Sequence, residues 1–145
     1  MRVGKRVATA VMVVALAGSV LVVASPAHAA TPVCTGVSQR WRDGLSAWLP
    51  SAGNYSGNFS CYLRQGHTGA GVTALQLTLI DCYGAKMPWD GQFGPKTAYW
   101  LNVAQWTEGI TADSIYGSQT RDHLLWRWDV GGDFDCRHLY GPWPV

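Results

Sequence analysis

Past the first thirty residues, few side chains are of a type and spacing that supports catalysis. Glycoside cleavage generally needs two placed carboxyl groups, one with a raised pKa. Glu108 is the chain's only glutamate and stands beside Gly109, a helix-ending residue, so it reads as an exposed helix end. Asp90 and Asp113 are better explained by turns. A zinc hydrolase needs ligands with one open coordination position. His67, His123 and His138 do not fall at H-x-x-x-H or H-E-x-x-H spacing, and Asp133, Asp135 and His138 read as a solvated loop closed by Cys136. Gly66, Gly69 and Gly71 follow no strand and lack the lysine of a phosphate cradle. The expectation is therefore no enzyme, no metal and no cofactor.

Cys34, Cys61, Cys82 and Cys136 show no C-x-x-C spacing. In an exported chain an even count points to two disulfides rather than to a nucleophile or a metal. Three pairings are open, and the sequence does not decide among them. One geometric expectation joins Cys61 to Cys82 and Cys34 to Cys136. A first helix of about fourteen residues is roughly 21 Å long, and an extended segment from Cys61 to Thr68 spans roughly 24 Å. If that segment runs back along the helix, its start meets the helix end.

Aromatic residues give the stronger pointer to binding. The chain has eight tryptophans, and flat rings stack on the apolar faces of sugars and peptides while polar neighbours orient them. Tyr83, Trp89, Trp100 and Trp106 are the candidates for a groove, with Arg64 and Gln92 as polar partners. Trp41 and Trp48 could simply cover the core, and Trp100 or Trp106 could be core too.

Positioning these side chains falls to a short set of elements. Arg2, Lys5 and Arg6 precede an apolar run from Val7 to Ala24, and Ala27-His28-Ala29 offers small residues before a cut. This is the pattern of a secretory signal cleaved after Ala29. A retained membrane anchor is the competing reading, opposed by Gly18, Ser19 and Pro26. Three of the 11 basic residues lie in that segment, leaving eight against nine acidic ones, a formal net charge of −1. No basic run remains, which argues against nucleic acid as a partner. The remaining ~115 residues suit one domain with a modest core.

From Thr31 to Ser60 the chain is rich in Ser, Gly and Asn. Trp41, Leu45 and Trp48 would share a helical face, but Gly44 and Pro50 interrupt and an extended reading is equally open. Val72, Leu75, Leu79 and Cys82 recur at three- and four-residue steps, predicting a first helix stopped by Gly84. A second helix follows Gly94-Pro95, with Ala98, Leu101, Ala104 and Gln105 on one side, and ends at Gly109. A third begins near Ser118 to Thr120, carries Leu124 and Leu125 inward, and frays through Arg127, Trp128 and Gly131-Gly132.

An internal repeat organises the centre. Asp90-Gly91-Gln92-Phe93-Gly94-Pro95-Lys96-Thr97 returns 23 residues later as Asp113-Ser114-Ile115-Tyr116-Gly117-Ser118-Gln119-Thr120. In each copy the Asp can accept backbone N–H bonds two residues on. The aromatic pins the turn in the core, and the Thr hydroxyl can satisfy an orphan N–H of the helix that follows.

With Leu63-Arg64, Gly66, Gly69, Val72, Leu75-Gln76, Leu79 and Gly84 before it, and Ala104-Gln105 and Gly109 between the copies, the repeat resembles the type-one peptidoglycan-binding domain family. That family is a small three-helix module appended to wall hydrolases or carried alone in secreted actinobacterial proteins. The resemblance covers Leu63 to Leu125 and departs at Ser114, where the family has Gly, and at Ser118, where it often has Pro. It implies an all-α fold: a three-helix domain over 63–127, following a signal (1–29) and a disulfide-tied irregular extension (30–62), and ending in a tail (128–145). It implies a secreted or wall-associated monomer, free of the membrane after cleavage, that binds peptidoglycan without cutting it. The alternative is an interaction or inhibitor domain that keeps the fold and binds another secreted protein.

Overall fold

The computed structural model describes residues 30–143. The signal pattern at 1–29 lies outside them. No described helix is long and apolar enough to cross a membrane.

The central helices form where local rules place them. Helix α1 spans Ala70–Tyr83 and ends on Gly84, whose φ of 68° is the left-handed conformation that closes a helix without a side-chain clash. Helix α2 spans Pro95–Thr107 with proline at its start. Helix α3 is one short turn and a half, Ser118–His123.

The all-α expectation is overturned. A four-stranded antiparallel sheet, ordered β1-β2-β3-β4, packs with the three helices, so the fold is mixed α and β. Strands β1 (Gly36–Arg42) and β2 (Leu45–Ser51) form a hairpin. Their two-residue turn is Asp43-Gly44, with φ of 51° and 78°. Positive φ at both positions is what a type I′ turn demands, and its twist matches that of the paired strands. Of the two readings open for Trp41, Leu45 and Trp48, the extended one holds: they lie in strands on both sides of a turn.

The frayed end of the third helix is also strand. Leu124 already has extended backbone, and β3 (Leu125–Asp129) alternates strictly, with Trp126 and Trp128 buried and Arg127 and Asp129 exposed. Gly131-Gly132, again with positive φ, turns it into β4 (Phe134–His138). The two hairpins join through Ser46↔Asp129 and Ala47↔Trp128, although everything from Ala52 to Leu124 lies between them in sequence. Two-stranded ribbons are marginal alone. Pairing edge to edge and burying Trp126 and Trp128 makes them one sheet.

Helix α1 is the pivot. Val72, Leu75 and Leu79 are fully buried in a core shared with Leu101, Phe93, Tyr116 and Trp126. Ala74 and Thr78, off that stripe, are buried as well. A helix apolar nearly all round must be covered on more than one side, and α1 packs against α2 as well as the sheet. The approach is close. A Cβ on Gly71 would stand 2.4 Å from the Cys34 carbonyl oxygen.

The disulfides pair Cys34 with Cys61 and Cys82 with Cys136, unlike the pairing drawn from helix length. The segment after Cys61 does not run back along α1. Instead Cys34 N–H donates to the Tyr62 carbonyl and Tyr62 N–H to the Pro32 carbonyl, each at 3.0 Å, laying the two stretches side by side. Strand β4, absent from a helical reading, carries Cys136 to the end of α1.

Candidate binding surfaces

Each copy of the repeat folds into a turn locked by one buried glutamine. Gln76, on α1, accepts the Gly91 N–H at 2.9 Å through Oε1. Its Nε2 donates to Asp90 Oδ1 (3.0 Å), the Gln92 carbonyl (3.0 Å) and Thr97 Oγ1 (3.1 Å). Gln105, on α2, does the same for the second copy. Its Oε1 takes Ser114 N–H at 2.9 Å, and Nε2 reaches Asp113 Oδ1 (2.9 Å), the Ile115 carbonyl (2.9 Å) and Thr120 Oγ1 (3.0 Å). An amide nitrogen has two hydrogens for these three acceptors, so at least one is shared. Asp90 and Asp113 also accept the N–H two residues on, at 3.0 and 2.8 Å, as the turn chemistry predicts. The threonines do not cap a helix N–H. Their hydroxyls take the glutamine amide and lie against a turn carbonyl.

Residues 63–67 bind both turns through their aromatic positions. Leu63 and Tyr116 exchange two backbone bonds at 2.9 Å, and Gly66 N–H and the His67 carbonyl bond Phe93 at 2.9 Å. Hydrogen bonds from Gln92 N–H and Gln76 hold the Asp90 carboxyl below its ordinary range. Burial pushes the Tyr116 hydroxyl far above its own.

The six groove candidates do not converge. Gln92 lines a groove of ≈ 450 Å³ beside the first turn, with Met87, Pro88, Pro95 and Lys96. Trp89 is 62% exposed on the same turn. Arg64 is exposed in the loop bonded to Phe93, its guanidinium 5.8 Å from the Tyr62 ring. Trp106 is 77% exposed near the other end of α2, roughly 16 Å along the axis from Pro95. Trp100 is half-buried against the core.

Tyr83 serves the fold. Its hydroxyl donates to Glu108 Oε1 at 2.7 Å and accepts Leu125 N–H at 2.7 Å, tying both helices to β3. Burial first, then the bond to Glu108, raises its pKa far above the ordinary tyrosine value. Glu108, expected to be exposed, has a side chain only 13% exposed, with His138 Nε2 3.7 Å from its other oxygen.

A second surface was missed because it depends on the sheet. The register sets Trp41, Ser46, Asp129 and Phe134 in one row across all four strands, with Trp48 and Arg127 on the same face. Between this face and α1 lies a mainly apolar cleft of ≈ 280 Å³, its lining including Val37, Trp48, Ala70, Thr73, Ala74 and Leu77. Trp48 is 41% exposed and meets the exposed Tyr55 edge to face at 5.8 Å. Trp48 and Arg127 also border a polar hollow of ≈ 220 Å³ containing Ser46, Asp129 and Asp133. The available signal was the Asp43-Gly44 turn. Read as a hairpin, it puts Trp41 and Trp48 on a sheet.

Among the described residues, no group of three or more His, Cys, Asp or Glu side chains is arranged to hold a metal ion. Compared with known proteins, the chain matches no family model and no curated sequence relative. Parts of it resemble solved structures. The SleB N-terminal domain aligns with 43% of this chain and 85% of its own, at 27% identity and a TM-score of 0.42. A Burkholderia AP3 phage endolysin aligns over 41% of this chain at 39% identity and a TM-score of 0.39, the match spanning 22% of that protein. A peptidoglycan-binding protein from Clostridioides difficile, in complex with glutamine hydroxamate, aligns over 59% of this chain and 54% of its own, at 25% identity and a TM-score of 0.46.

Proposed function

We propose that this chain is a secreted, non-catalytic protein that binds cell-wall peptidoglycan. The observation that carries the reading is the pair of glutamine-locked turns. Gln76, Asp90, Gly91, Phe93 and Thr97, and their counterparts Gln105, Asp113, Tyr116 and Thr120, are the residues on which the resemblance to the type-one peptidoglycan-binding family rests. They work together here as two equivalent units.

Export is supported by the signal pattern and by two disulfides, which persist in oxidising surroundings. The non-catalytic part is supported by how the carboxylates are used. Glu108 is held by Tyr83 beside His138, and Asp90 and Asp113 are spent on their turns.

Mixing the purified mature protein with insoluble peptidoglycan and centrifuging tests the binding. Co-sedimentation without release of soluble muropeptides is the expected outcome. Protein wholly in the supernatant refutes wall binding and favours the interaction-domain alternative, whereas muropeptide release refutes the non-catalytic reading. The N-terminal residue of protein recovered from the medium should be Ala30.

A further inference from the structure

We infer that the cleft between α1 and the sheet is a peptide site, taking a short segment with small apolar side chains and a free ammonium group. The source of that peptide rests on the wall-binding reading, in which it is a stem peptide bearing a diamino residue. The site's chemistry does not rest on it.

Shape and charge both point this way. The cleft is lined by short side chains, Val37, Ala70, Thr73, Ala74 and Thr78, with Leu77 beside them, so it accepts methyl-sized groups. Trp48, backed edge to face by Tyr55, offers an indole to an aliphatic chain crossing the cleft. At Trp48 and Arg127 the surface turns from apolar to acidic. Arg127 does not balance that acidity, because its Nε is 2.9 Å from Asp81 and its guanidinium stacks on Phe134 at 4.7 Å.

Asp129 uses Oδ1 for the Gly131 N–H at 3.0 Å, and Asp133 uses Oδ1 for the Phe134 N–H at 2.8 Å. Their second oxygens have no partner among the described residues. Two carboxylates thus border the hollow with no ion pair among the described residues, and Arg127, which also lines it, is paired with Asp81. An ammonium there would gain charge-assisted hydrogen bonds that a hydroxyl or a neutral sugar edge would not.

The probes are a soluble stem tetrapeptide with a free lysine amine and the same peptide acetylated on that amine. Each is titrated into the mature protein and followed by tryptophan fluorescence and amide chemical shifts. The free amine should bind more tightly by about three- to tenfold, the size of one or two part-exposed charge contacts, and salt should shrink the difference. Trp48→Ala should weaken both peptides by roughly tenfold, while Tyr99→Ala, at an exposed residue on α2 outside the cleft, should change neither. Asp129→Asn with Asp133→Asn keeps the turn acceptors and should abolish the preference for the free amine.

Equal binding of the two peptides, or no binding of either, overturns the proposal. If the protein then still sediments with peptidoglycan, wall binding stands and this cleft is not its site. Amine-dependent tetrapeptide binding without sedimentation supports the cleft and removes the wall-binding reading.

Discussion

Replacing Gln76 by methionine should destabilise the fold by about 3 kcal/mol, through a mechanism that can be followed group by group. Methionine keeps nearly the same volume and shape, so packing around this 1%-exposed side chain is preserved. What disappears is the amide. The Gly91 N–H loses its acceptor in a buried position, and an unpaired buried donor costs about 1–3 kcal/mol. The Gln92 carbonyl and the 2%-exposed Thr97 hydroxyl lose a donor and keep only their own 3.4 Å contact. Asp90 is exposed and turns to water at little cost.

A domain of this size has about 6–17 kcal/mol in total, and 1 kcal/mol moves the Tm by roughly 4 °C. The expected drop is therefore about 12 °C, read by thermal unfolding with both disulfides intact. Gln105→Met should cost less, about 2 kcal/mol, because the Ser114 N–H it abandons is only partly buried. The two networks share no residue, so the double variant should be additive to within ~0.5 kcal/mol. A Tm change under about 2 °C for Gln76→Met, with far-UV dichroism unchanged, would refute the claim that this side chain locks the turn.

The second copy carries two local faults that the first copy corrects. Ser114 has φ of 60° where Gly91 has 71°, and Tyr116 has a buried hydroxyl with no partner among the described residues where Phe93 has none to satisfy. Ser114→Gly and Tyr116→Phe should each raise stability by about 0.5–1 kcal/mol in urea unfolding; a loss in either case contradicts the assignment. For the disulfides, peptide mapping without reductant should recover Cys34 linked to Cys61. Loop-closure entropy puts removal of Cys82–Cys136, which spans 54 residues, at about 4 kcal/mol, slightly above that of Cys34–Cys61, which spans 27. Because folding holds Asp90 below its ordinary value, its contribution is complete above the unfolded pKa of 3.8 and fades as pH falls through the lower folded value. Asp90→Asn should accordingly flatten the acid limb of a Tm–pH profile below about pH 4, and parallel profiles would contradict it.

Features governed by neighbours in sequence were legible without the structure. The stripe of α1, its Gly84 stop, the Pro95 start of α2 and the two Asp turns each follow from residues within a few positions of one another, and each is found where predicted. The glutamines were visible among the residues that carry the family resemblance, but not their work. A buried amide reaching a turn 14 residues away is a tertiary contact.

The sheet is the instructive case. Asp43-Gly44 and Gly131-Gly132 are turn signals that sequence could have yielded, and the alternation of Trp126 and Trp128 is a strand signal. A helical domain inferred from the repeat left no place for them. Their meaning depends on each other, because a lone hairpin buries too little to hold. Only the folded chain decides that β2 meets β3 across the whole helical region, that Cys136 reaches Cys82, and that Trp48 faces a cleft rather than the core. By itself the sequence determined the two Asp turns, the stop of α1 and the start of α2, because these are set by local dihedrals. Tertiary structure decided the sheet, the cross-links and both surfaces, because each is made by chain segments whose proximity no local rule encodes.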